Sequence, residues 1–276
     1  MSAANRETTD TTDDGRRSTT GFADDLEQHL RAGYQILYIP TTEEHRVEAE
    51  INRVATKLKA GAVAWDCFEG FNHKLLEDQK YKSPVVALEA LVNDATLAGH
   101  NNNDNIFIFR DLDDFMADAF VRRRLRSLAE GNRLVNKKWK RWLIILSPIM
   151  NIHPKLKSAV TILEFNLPDE NALRQRVDFV KLAISGKNPE RTALADELRD
   201  TLGAAMLGLT ASEAENCISR CIVKHGGFTP DMLLTVKEEK AKIIRKSEVL
   251  AVINDDDIRD RNEIGGLDLY MEWHDE

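Results

Sequence analysis

Five short apolar runs, at 34–39, 62–65, 106–109, 142–146 and 160–165, alternate with helical patterns over the first 165 residues. No other feature of the chain constrains its fold as much. The runs are nearly continuous in Ile, Leu, Val, Phe, Tyr and Trp rather than alternating in and out, so each strand has both faces covered. Strands of this kind, interleaved with helices, build a parallel sheet with helices on both sides. The helices announce their ends. Phe22, Leu26, His29 and Leu30 recur at helical spacing before a stop at Gly33, and Thr41-Thr42-Glu43-Glu44 reads as a capping box opening a helix to about Lys59. Further helices are expected over 84–97 and 119–135.

Past Leu167-Pro168-Asp169 the pattern is helical only, with helices expected at 170–184, 190–202, 211–224 and 230–249. The organisation predicted is a tail over 1–20, an α/β domain over 21–168, a helical subdomain over 169–250, and a linker over 251–276 leading into the start of another domain. Residues 1–20 carry almost no apolar side chain to offset the entropy of ordering, which predicts disorder there.

Composition narrows the function classes. Hydrophobic residues make up 42% and charged residues 30% of the 276, and the longest apolar run falls far short of the ~20 residues of a membrane span. The N-terminus has no apolar signal core, and three cysteines, Cys67, Cys217 and Cys221, make no disulfide framework; a reducing, cytoplasmic setting is the expectation. A net charge of −8 opposes general nucleic-acid affinity. The exception is local: Arg122, Arg123, Arg124 and Arg126, with Arg133, Lys137, Lys138, Lys140 and Arg141 and the interleaved Trp139 and Trp142. That stripe suits an acidic protein surface or, alternatively, a nucleic acid whose bases stack on the tryptophans.

An α/β core with a helical appendage is the layout of P-loop ATPases, yet no G-x-x-x-x-G-K-[ST] occurs. After the first strand the chain reads Pro40-Thr41-Thr42-Glu43-Glu44-His45-Arg46 and enters a helix at once, with two acids where a triphosphate needs N–H donors. Arg46 is the only compensating cation in that stretch. The third apolar run ends in Arg110-Asp111-Leu112-Asp113-Asp114, a Walker B shape whose first acid is replaced by arginine; the acids are expected to be solvated. Cys217 and Cys221, one helical turn apart, could in principle ligate a metal, but no C-x-x-C or paired histidine accompanies them and no histidine pair has metal spacing, so no metal ligand is assigned.

Gln35 to Glu44, Trp65-Asp66-Cys67-Phe68-Glu69-Gly70-Phe71, Ile108-Phe109-Arg110-Asp111, Ile145-Leu146-Ser147-Pro148 and Ile243-Ile244-Arg245-Lys246-Ser247 together resemble a family. It is the AAA ATPase family first catalogued as a conserved chloroplast and cyanobacterial reading frame. The resemblance covers about Phe22 to the end. It implies a P-loop-NTPase-like doubly wound sheet followed by an AAA-lid-like helical subdomain, the lid helix starting near Thr210. In that family a degenerate amino-terminal AAA half precedes a working ATPase domain, whose opening phrase Ile264-Gly265-Gly266-Leu267-Asp268 resembles. ATP and Mg²⁺ are implied at family level only. Thr41, Thr42, Glu43, Arg46, Arg110, Asp111 and Ser147 are then degenerate nucleotide-site positions, and no catalytic residue carries over. The expected role is docking, regulation or assembly, with an AAA ATPase domain or a second copy as partner, Arg122, Arg123, Arg124 and Arg126 as contacts, and cytoplasm or plastid stroma as setting. The alternatives are an ATPase active only with the following domain or in an oligomer, and a nucleic-acid-binding module.

Overall fold

A computed structural model of the chain describes residues 20–72, 78–92, 104–134, 140–185 and 193–246. The expected disordered tail, the linker and phrase at 264–268, and the residues Lys137, Lys138 and Trp139 lie outside them. The chain divides after Asp169 into two compact units.

The first unit runs α1 (Thr20–Ala32), β1 (Ile36–Pro40), α2 (Glu44–Leu58), β2 (Gly61–Asp66), β3 (Gly70–Phe71), α3 (Pro84–Val92), β4 (Asn105–Arg110), α4 (Ala119–Leu134), β5 (Arg141–Ser147) and β6 (Thr161–Ile162). The sheet order is β3-β2-β4-β5-β1-β6. All neighbours are parallel except β2 and β3, so this is the expected doubly wound α/β fold with one antiparallel edge strand. The alternate residues of each strand sort cleanly into two cores. Tyr38, Trp65, Phe107, Phe109 and Ile145 face Leu88, Leu91, Val121 and Leu125 of α3 and α4. Leu37, Ile39, Ile108, Ile144 and Leu146 face Leu26, Leu30, Val47, Ile51 and Val54 of α1 and α2. The stack of Trp65 on Phe109, 4.6 Å between ring centres, locks β2 to β4.

Local details differ from expectation for identifiable reasons. The fifth strand is only Thr161–Ile162, although Leu163 N–H still donates to Tyr38 C=O at 2.9 Å before the chain leaves the sheet. The helix from 84 is described to Val92, and its expected remainder lies outside the described residues. Strand β3 was not expected, because two residues are too few to carry a periodic signal. Trp142 and Arg141 are buried, since β5 lies inside the sheet: the indole donates to Leu30 C=O at 3.1 Å and the guanidinium to Leu91 C=O at 2.8 Å. Trp142 is therefore no base-stacking platform.

The second unit holds α5 (Glu170–Ser185), α6 (Asp196–Ala205), α7 (Ala211–His225) and α8 (Met232–Lys246). Leu173, Val177, Leu202, Met206, Ile218, Met232 and Val236 form its core. Helix α6 starts later than the expected residue 190 and runs through Gly203 to Ala205. That glycine instead lets α5 approach: a Cβ there would meet Arg174 Cγ at 2.8 Å. A true capping box starts α7, where the Thr210 hydroxyl accepts from Glu213 N–H and the Glu213 carboxylate accepts from Thr210 N–H. Cys217 and Cys221 sit buried on the inner face of α7, their hydrogen bond and burial pushing the Cys217 thiol up, as packing residues do.

Candidate functional site

In open α/β sheets, ligand chemistry gathers at the carboxyl ends of the strands, and the residues singled out there do converge. The loop from β1 to α2 is only Thr41, Thr42 and Glu43. Thr41 N–H donates to Ser147 C=O at 2.9 Å, extending the β1–β5 seam, and the Thr41 hydroxyl accepts from Glu43 N–H at 3.0 Å. The expected Thr41–Glu44 capping box does not form, because the helix begins at Glu44 with Glu43 as its N-cap. The Glu43 side chain does not cap the helix either; its carboxylate is buried against the Arg46 guanidinium. Arg46 also donates to Asn166 C=O at 2.7 Å and lies 4.3 Å from the centre of the Phe165 ring. Three partners hold this cation against the sheet edge. Thr42 alone in the loop is exposed.

The cation that faces the crevice is Arg110, at the end of β4. Its guanidinium reaches Glu48 at 2.7 Å, Glu44 at 3.2 Å and Asp66 at 3.6 Å. Burial works against its charge, but the hydrogen bond to Glu48 and the fields of Glu44 and Asp66 more than offset this and raise its pKa. Burial in the same crevice raises the Glu44 carboxyl, with Arg110 opposing. Neither Glu48 nor Asp66 was singled out from sequence. The signals were there: Glu48 follows Glu44 by one helical turn, and Asp66 ends a parallel strand.

Beyond Arg110 the chain turns sharply. Asp111 adopts φ 52° with its N–H donating to Leu146 C=O at 2.8 Å, its carboxyl exposed and raised by partial burial and by Asp114. This left-handed residue swings Leu112 and Asp113 inward, so Asp113 is 4% exposed and not solvated as expected. Its carboxyl is raised by burial, with Ser147 and Tyr38 as hydrogen-bonding neighbours, and Oδ1 has no partner. Tyr38 donates to Ile149 C=O at 2.8 Å and Ser147 to the same oxygen at 3.3 Å. Ser147 thus belongs to a buried polar knot with Tyr38 and Asp113. Among the described residues, no group of three or more His, Cys, Asp or Glu side chains is placed to hold a metal ion.

With this geometry in view, comparison with known proteins is direct: residues 22–165 match the model for the SpoVK-like AAA ATPase, N-terminal domain, and residues 172–247 match that family's second domain. The chain belongs to the SpoVK-like AAA ATPase family. Relatives include the AAA domain-containing protein ycf46 of Trieres chinensis, 28% identical over 256 residues covering 91% of this chain and 48% of the relative. The ycf46 protein of Guillardia theta is 26% identical over 261 residues, 94% of this chain and 48% of that one. The chain thus spans about half the length of the curated relatives it matches. Among solved structures, a Thermotoga maritima RuvB mutant aligns with a TM-score of 0.48 at 10% identity, covering 93% of this chain and 77% of that one. The FIGL-1 AAA domain in complex with ADP aligns at 0.47 and 12%, covering 94% and 84%.

In this SpoVK-like module the four arginines of α4 are not one solvated patch. Arg122 donates to the carbonyls of Met116, at 2.9 Å, and Ala117, tying off the preceding 3₁₀ turn. Arg124 pairs with Glu89 of α3 at 2.8 Å. Arg126 turns inward with its Nε shielded. Of the four, only Arg123 is exposed. The spacing of an α-helix explains this, since Val121, Leu125 and Leu128 anchor one face and pull Arg122, Arg124 and Arg126 to its borders. No helix among the described residues is long and apolar enough to cross a membrane.

Proposed function

We propose that this chain is a non-hydrolysing module of an AAA ATPase, working in docking, regulation or assembly rather than in phosphoryl transfer. The observation that carries this reading is the seat of Arg110, a fixed cation among Glu44, Glu48 and Asp66 where a nucleotide's metal ion would need open carboxylates. The surroundings do not fit a magnesium triphosphate. The β1–α2 loop is three residues without glycine, its Thr41 and Glu43 amides already donate within the protein, and Glu44 in the first turn of α2 would repel a triphosphate.

A role in protein contact is favoured by what the same end of the sheet exposes. Phe68, Phe120, Ile149 and Met150 are 79%, 72%, 74% and 53% accessible, and each follows directly on the carboxyl end of a strand or starts the helix behind it. Large apolar side chains gathered at one end mark a surface for another protein. The partner proposed is an AAA ATPase domain or another copy of this chain, in the cytoplasm or a plastid stroma. Calorimetry with ATP and Mg²⁺ tests the non-hydrolysing reading. The expected result is no phosphate release and no Mg²⁺-dependent binding tighter than about 100 μM, roughly −5.5 kcal/mol. A tighter, Mg²⁺-dependent isotherm overturns it.

A further inference from the structure

At the opposite, amino-terminal end of the sheet, a cleft of about 460 Å³ opens between the start of β1, helix α4 and the segment before β6. Its wall includes Arg126, Lys155, Ser158, Thr161, Tyr34 and the acid Glu130. The decisive group is Arg126. Its Nε is shielded from solvent and has no hydrogen-bond acceptor, and among the described residues its guanidinium makes no ion pair, although Glu130 lies one helical turn away. A shielded donor on a charged group is normally satisfied, because leaving it unpaired forfeits its hydration without return. Lys155 lines the same cleft from an exposed position, also without an ion pair among the described residues.

We propose that this cleft binds a small phosphorylated anion, its phosphate group held by Arg126 and Lys155. The donor set favours phosphate over carboxylate. Two cations match a group carrying up to two negative charges, the guanidinium fork suits two of its oxygens, and the hydroxyls of Ser158 and Thr161 supply donors for the rest. Tyr34, 45% exposed, offers a ring at the margin for the organic part of the ligand. This site is separate from the Arg110 crevice and requires no metal ion.

The test uses the full chain with inorganic phosphate, AMP and acetate as probes, each titrated by calorimetry and by thermal shift with and without Mg²⁺. Phosphate and AMP are expected to bind saturably without Mg²⁺ and to raise the melting temperature. Arg126→Ala and Lys155→Ala are each expected to weaken that binding at least tenfold, while Arg123→Glu leaves it unchanged. Lys155 is exposed, so Lys155→Ala keeps the test valid if Arg126→Ala fails to fold. Failure of both phosphate and AMP to bind overturns the proposal, as does equal binding of acetate, or binding that survives both variants. Mg²⁺-dependent ATP binding that both variants retain would count against the non-hydrolysing reading instead, leaving this one standing.

Discussion

Two arginines at opposite ends of one sheet have opposite surroundings. Arg110, at the carboxyl ends of the strands, has three carboxylates within 3.6 Å; Arg126, at the amino ends, has none among the described residues. A guanidinium already held by three carboxylates gains little by taking an anion, whereas one with an unpaired, shielded Nε and no counter-ion among the described residues gains by taking one. The arginine held by acids and the arginine without one thus stand at different ends of the same sheet.

The largest expected effect comes at the Arg110 end. Arg110→Ala leaves Glu44, Glu48 and Asp66 facing one another and is expected to cost about 2 kcal/mol, less than a fully buried pair because water reaches all four groups. Urea unfolding measures it, and a loss below about 0.5 kcal/mol would mean the cluster is only a surface network. Next, Asp113→Asn is expected to stabilise the protein by about 1 kcal/mol at pH 7, by removing a buried carboxylate with an unpaired oxygen. Because the folded carboxyl is raised above its ordinary 3.8, its ionisation weakens the fold as pH rises, so the advantage of asparagine shrinks as pH falls towards that value. Melting curves across pH show the trend or its absence.

Arg126→Met sharpens the contrast through its sign: the same residue type, removed from the other end, is expected to be neutral or to stabilise by up to about 1 kcal/mol in phosphate-free buffer. Destabilisation as large as that of Arg110→Ala would erase the distinction. Smallest in stability is Arg123→Glu, within about 0.5 kcal/mol of the parent. Its effect is expected in stopped-flow association with a SpoVK-like ATPase domain, where reversing the exposed charge slows capture of an acidic surface.

How legible these ends were in the sequence depended on distance along the chain. The strands, the helical second unit and the lack of a phosphate loop were readable because period and motif are local properties. That a cation, Arg110, ends the third apolar run was readable too. Its partners were not, since Asp66 meets it through the parallel register that sets Trp65 beside Phe109, and Glu48 through the packing of α2 on the sheet. Asp113 was misread as solvated because nothing local marks Asp111 as left-handed. The basic stripe was misread at Arg141 and Trp142 because a cation next to an aromatic looks the same on a surface and in a central strand. Arg126 looked like its neighbours until the helix placed it beside a cleft.

The position of β1 also sets the order in which the protein can be made. Its lateral partners are β5 and β6 alone, and the Tyr38 hydroxyl closes on a carbonyl 111 residues further along. During synthesis the β2–β4 pair can form while β1 waits with the backbone groups on both its edges unpaired, and closing so long a loop slows the step that seats it. Strand β1, the first strand of this sheet to be made, is therefore among the last to find its place in it, and the interval between is when a nascent chain of this kind most needs a chaperone.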